Sequence, residues 1–108
     1  MQSQTPSRGF WIIPLPARWM DLAARLAYRR TPLTTGQCTS CHRHRFFSFY
    51  FVDGIKFLRS PGGDVSLPRK AMVIVLPFSV HGWSNREAAN TGYVHDLTAA
   101  HRPHALEA

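Results

Sequence analysis

A chain of 108 residues with 44% apolar and 18% charged side chains has room for one domain with a modest core and is too apolar for disorder. Its formal charge of +7 comes from 13 basic against 6 acidic residues. Only Lys56 and Lys70 are lysines, and the arginines are scattered from Arg8 to Arg102. No basic run reaches nucleic-acid-binding length, and no helix-turn-helix or zinc-finger pattern is present, so the charge reads first as a solvated surface, with a basic accessory protein acting on nucleic acid the lesser alternative.

Residues 1–9 are polar and read as a flexible arm. Phe10 to Pro16 is apolar, proline-interrupted and extended, and Ala17 to Arg29 carries Trp19, Leu22, Ala23 and Leu26 at helical spacing. Alternation from Arg25 to Tyr28 also fits a strand, and Pro32 ends whichever element forms. Residues 10–35 are thus expected to pack on a domain that starts at Gly36. From there the chain turns to β character. His42 to Val52 contains five aromatics and closes at Asp53–Gly54. Short strands follow at Ile55–Leu58, Val65–Leu67, Ala71–Leu76, Val80–Trp83 and Thr91–Leu97, with turn signals between them, above all Pro61–Gly62–Gly63–Asp64. Short, evenly spaced strands indicate an all-β barrel or sandwich over residues 36–98, and 99–108 reads as a flexible tail. His95, Asp96, His101 and His104 make the chain's end histidine-rich, with His95 and Asp96 a candidate supporting pair and exposure the ordinary expectation.

No apolar run spans a membrane, the longest being Ala71–Phe78. Phe10–Leu15 is proline-broken and followed by Arg18, Asp21 and Arg25, unlike a secretory leader. The expected compartment is the cytoplasm, with Cys38 and Cys41 as free thiols.

On a strand, side chains alternate with period two. His42, His44, Phe46, Ser48 and Tyr50 then share one face, and Arg43, Arg45, Phe47, Phe49 and Phe51 the other. Two imidazoles one residue apart can chelate one metal if a third ligand arrives, and His81, beyond the Pro77 turn, is the candidate. The outward phenylalanines are too many to leave in water and call for cover from Trp11, Trp19 or Leu22, or from a second subunit.

Gly36, His42-x-His44 and Gly54 resemble the first cupin motif, and Pro77, His81 and Asn85 resemble the second. Within the cupins, HRHRFFSFYFVDG and PFSVHGWSN are most similar to the AraC-type sensor domain. That resemblance implies a small jelly-roll-like β-barrel that holds a small-molecule effector and pairs as a homodimer. The chain has no counterpart of such regulators' DNA-binding region, so it reads as a sensing domain or a fragment of a longer regulator. His42, His44, Phe46, Ser48, Tyr50, His81 and Trp83 are the expected pocket. The cupin glutamate's place falls at Ser48 or Phe49, so a metal would rest on His42, His44 and His81 alone. Those three suit Zn²⁺, Fe²⁺, Ni²⁺ or Mn²⁺, and make a metal-dependent enzyme the alternative to a metal-free sensor. Cys38-x-x-Cys41-His42 also fits covalent haem c attachment, with Met72 as the remaining axial ligand, a thiol redox pair, or half of a zinc site with His42 and His44.

Overall fold

The computed structural model describes residues 9–85 and 91–98; the expected arm up to residue 8 and the tail from 99, with His101 and His104, lie outside the described residues. The chain is mostly β, in two antiparallel sheets with one short helix. In order come β1 (Phe10–Pro14), α1 (Trp19–Leu26), β2 (Arg29–Leu33), β3 (Ser48–Asp53), β4 (Phe57–Arg59), β5 (Val65–Ser66), β6 (Lys70–Val75), β7 (Gly82–Ser84) and β8 (Gly92–Asp96). The larger sheet has the order β1-β6-β3-β8-β2, and the smaller the order β5-β4-β7.

The expected barrel is not closed. Its larger sheet ends at β1 and β2, and each of these edges carries a proline, Pro14 paired with Ala71 and Pro32 with Tyr93. Proline has no N–H to donate, so edge positions accommodate it where a further strand could not pair. Pro32 therefore lies inside a strand rather than ending an element. Residues 10–33 supply both edges of the larger sheet.

One core fills the space between the sheets. From the larger sheet come Phe10, Leu33, Tyr50, Val52, Ala71, Val73, Val75 and Val94; Leu58 and Trp83 come from the smaller, and Ile55 and Leu67 from the loops. β6 alternates strictly, with Ala71, Val73 and Val75 inward and Lys70, Met72 and Ile74 outward. Complete burial of residues such as Val52, Val73 and Leu58 stabilises the fold by about 1.5–3 kcal/mol each.

Helix α1 has Asp21 in its first turn and Arg25 in its last, both favourable to its dipole. It packs near β3 and buries Met20 and Ala23, which stand apart from the core between the sheets. Of the expected stripe only Ala23 is buried; Trp19, Leu22 and Leu26 stay exposed. They do not cover Phe47 and Phe49, which stack on each other at 6.4 Å and remain exposed.

The run from His42 is not one strand. Ladder pairing begins only at Ser48, and Arg45–Phe46 forms a bend. The reason is that this run serves both sheets. His42 pairs with His81 beside the smaller sheet, whereas Ser48 to Asp53 pair with β6 and β8 in the larger one. The bend is where the chain crosses between them.

Candidate metal centre and cavity

Residues 38–42 run alongside β7 without forming a regular ladder. Cys38 pairs with Ser84, and Thr39 N–H donates to Trp83 O at 2.9 Å while Thr39 Oγ1 accepts from Trp83 N–H at 2.9 Å. His42 and His81 then exchange both backbone hydrogen bonds at 2.9 Å. Between the two pairs one chain advances from 38 to 42 and the other only from 84 to 81, so one extra residue is accommodated as a β-bulge. Gly82 makes room for it: a Cβ there would stand 3.3 Å from Thr39 Oγ1, Ser40 O and Cys41 Sγ. Across this bulge Thr39 and His42, three apart, both reach the cavity wall, while Cys38 and Cys41, likewise three apart, are both exposed free thiols.

The bulge and the bend gather the three histidines. Ring centroids are 4.8 Å apart for His42 and His44, 4.5 Å for His42 and His81, and 5.7 Å for His44 and His81. One nitrogen from each lies within 4.8 Å of the others, so the three can hold a single metal ion with modest side-chain adjustment. His81 is fully buried, His44 half-buried and His42 exposed, which places the group at a wall between core and solvent. Neither thiol joins this group among the described residues. Met72 projects from the outward side of β6, away from His42, and so does not complete a haem site.

Backbone carbonyls fix the ring nitrogens. His81 Nδ1–H donates to Ser79 O at 2.9 Å, which leaves Nε2 as the acceptor of the Tyr50 hydroxyl at 3.1 Å. His42 Nδ1 faces Ser40 O at 3.3 Å, and the same tautomer frees its Nε2. An Nδ1–H held by a carbonyl is how metal-binding imidazoles are commonly oriented.

A cavity of about 260 Å³ adjoins these rings. The sheet register builds its floor: Arg29 lies opposite Asp96, which lies opposite Tyr50, and Thr31 opposite Val94 forms the next rung. Trp83 of β7 and the Thr39, His42 and His44 side chains close the other side. Tyr50 meets Trp83 edge-on at 5.1 Å and 74°. Of the residues expected in the pocket, His42, His44, Tyr50 and Trp83 line this cavity. His81 sits behind Tyr50, Phe46 stacks on the His44 ring at 5.0 Å, and Ser48 is buried beside Tyr50 on β3. Arg29, Thr31, Thr39, Val94 and Asp96 were not legible as pocket residues. Arg29 and Asp96 become neighbours only through the β2–β8 pairing, which no local pattern announces.

Asp96 adds an acid to a pocket whose expected residues included none, and β8 overturns the expected exposure of His95 and Asp96. This strand is central, between β3 and β2, so His95 and Asp96 are both buried, on opposite faces. Asp96 borders the cavity and accepts from Thr98 N–H at 2.8 Å. His95 lies on the outward face near Tyr93, over whose ring Arg30 sits at 4.5 Å. Burial lowers the His95 pKa, the Arg30 charge adds to that, and Asp53 opposes it.

Burial lowers the His81 pKa from 6.5 to about 4; the Ser79 carbonyl opposes this, His42 and His44 add to it, and Asp96 offsets part. Burial likewise raises the Tyr50 phenol to about 12, against a smaller opposing effect of Ser48. Both partners of the Tyr50–His81 bond are therefore neutral near pH 7. A depressed histidine pKa means that the unfolded chain takes up a proton before the folded one does. The contribution of His81 to stability is complete above pH 6.5, fades as the pH falls towards 4, and amounts to on the order of 3 kcal/mol; His95 acts in the same sense. Urea denaturation of metal-free protein at pH 7.5 and 4.5 should show this loss, and His81→Phe should flatten it. An equally steep loss in the variant would remove His81 as its source.

Comparisons with protein-family models, with curated proteins and with solved structures find no match to this chain.

Proposed function

We propose that this chain is a cupin-like small-molecule-binding domain in which His42, His44 and His81 hold one divalent transition metal ion at the wall of the cavity. The observation that supports the reading is the coincidence of three convergent imidazoles with a cavity of about 260 Å³. Three neutral nitrogens suit Zn²⁺ and leave its fourth position to a further donor; the same donors also accept Fe²⁺ or Ni²⁺. Arg29 suits a carboxylate on the bound molecule, and Asp96, Thr31 and Thr39 suit its amine or hydroxyl groups. Trp83 and Val94 supply apolar walls. Few polar groups converging on a partly apolar cavity fit an effector-binding role, as in the AraC-type sensors. A metal-dependent enzyme is the second reading, favoured by Asp96, a buried carboxylate on the same cavity that could take a proton from a bound ligand.

Dialysis of metal-free protein against Zn²⁺ or Co²⁺ tests the metal. One ion per chain is expected for the wild type and less than a tenth of that occupancy for His44→Ala under the same conditions. His44 is half-buried, so this variant should keep its fold. A wild type that binds no ion at micromolar concentrations would sink the metal reading. Small carboxylates that raise the melting temperature of the loaded wild type but not of Arg29→Ala would identify the ligand class.

A further inference from the structure

Three neutral imidazoles leave the charge of a divalent ion uncompensated at a half-buried site, and the group contains no carboxylate. One oxygen is already in place. The Tyr50 hydroxyl lies 3.1 Å from His81 Nε2, and Tyr50 lines the same cavity as His42 and His44. Two donors bonded to one tetrahedral ion at about 2.0–2.1 Å stand about 3.3 Å from each other, so this hydrogen-bonded pair is close enough to share one ion once the Nε2 lone pair turns from the hydroxyl to the metal. The phenol is also held in position: Tyr50 is 3% exposed, its ring packs edge-on against Trp83, and its backbone sits in the central strand β3.

We propose that Tyr50 is the fourth protein ligand, an anionic oxygen that makes this a His₃–Tyr centre able to take Fe³⁺ as well as Zn²⁺ or Co²⁺. The proposal rests on the metal reading above. On ion binding the Tyr50 O–H bond breaks, its proton passes to solvent water, and the oxygen lone pair bonds the metal. The hydrogen bond to Nε2 is replaced by an Nε2–metal bond. No electron moves, and the ion keeps its oxidation state.

Metal-free full-length protein is titrated with Co²⁺ and, separately, with Fe³⁺ supplied as its nitrilotriacetate chelate. Wild-type protein with Fe³⁺ should develop a visible phenolate-to-iron charge-transfer band. Tyr50→Phe should lack the band and bind Co²⁺ at least ~10-fold more weakly, the lower end of what losing even a supporting partner costs a metal site. Equal or tighter Co²⁺ binding by Tyr50→Phe would make Tyr50 a competitor for Nε2 and overturn the proposal. So would a wild type that binds both ions without the band. Failure of the wild type to bind any ion is a different result, because it removes the metal reading itself. If Tyr50→Phe does not fold, the double variant Tyr28→Phe/Tyr93→Phe decides the matter. The chain has 3 tyrosines, so retention of the band assigns it to Tyr50 and its loss overturns the assignment.

Discussion

Replacement of His81 by alanine is expected to lower the unfolding free energy of the metal-free protein by about 3–5 kcal/mol, before any question of metal arises. The imidazole is fully buried, so its removal leaves a cavity between β7 and β3. It also strips the buried Tyr50 side chain of its hydrogen-bond acceptor. These two effects can be separated. His81→Phe fills the site with a slightly larger ring and removes the hydrogen bonds, so its loss should be about 1–3 kcal/mol, from an orphaned buried polar group and mild overpacking. The expected order of stability in urea at pH 7.5 is wild type, then His81→Phe, then His81→Ala. An alanine variant within 1 kcal/mol of the wild type would mean that the wall around His81 collapses freely, contrary to the packing seen here.

Gly92→Ala should do comparable damage with a single carbon atom. A Cβ at Gly92 would stand 2.7 Å from Ile55 Cδ1, 2.8 Å from Gly54 C and 2.9 Å from Gly54 O. Ile55 could turn aside, but the backbone of Gly54 cannot do so without moving the β3–β4 connection. Gly54 is itself tied to a left-handed backbone, with φ 78°, and lies with its own Cβ direction against Gly92. Overpacking of this kind costs about 1–3 kcal/mol or more. For a domain of this size each kcal/mol is worth roughly 4–8 °C in melting temperature, so a fall of about 10 °C or more is expected. Differential scanning calorimetry measures it directly, and an unchanged melting temperature would show that the close approach of these two glycines is not required.

The all-β class and most strand positions were legible because turn residues and alternation are local signals. Pro61–Gly62 forms a turn and β6 alternates as its sequence does. The convergence of His42, His44 and His81 was legible as well, through motif spacing. The features that shape the site were not. Period two assigned His42 and Tyr50 to one face of a single strand; they do meet at one cavity, but by way of a bulge and a bend that local pattern cannot show. Pro32 read as a terminator because sequence does not reveal which strands are edges. Arg29 and Asp96 lie 67 positions apart in the chain (96 less 29) and meet only through sheet register. The apolar stripe of α1 pointed to a buried face, yet the helix turns Met20 and Ala23 to the sheet and leaves Trp19 and Leu22 outside.

The one-residue bulge opposite Gly82 also divides a five-residue motif between two environments. Cys38 and Cys41 are exposed, while the adjacent His42 borders the cavity. A thiol-reactive fluorophore can therefore be attached on the solvent side of this wall without entering the chamber behind it. On Cys41, one peptide bond from His42, such a dye would turn the loading of the chamber into an optical signal, and a Cys38→Ser background would confine the label to that single position.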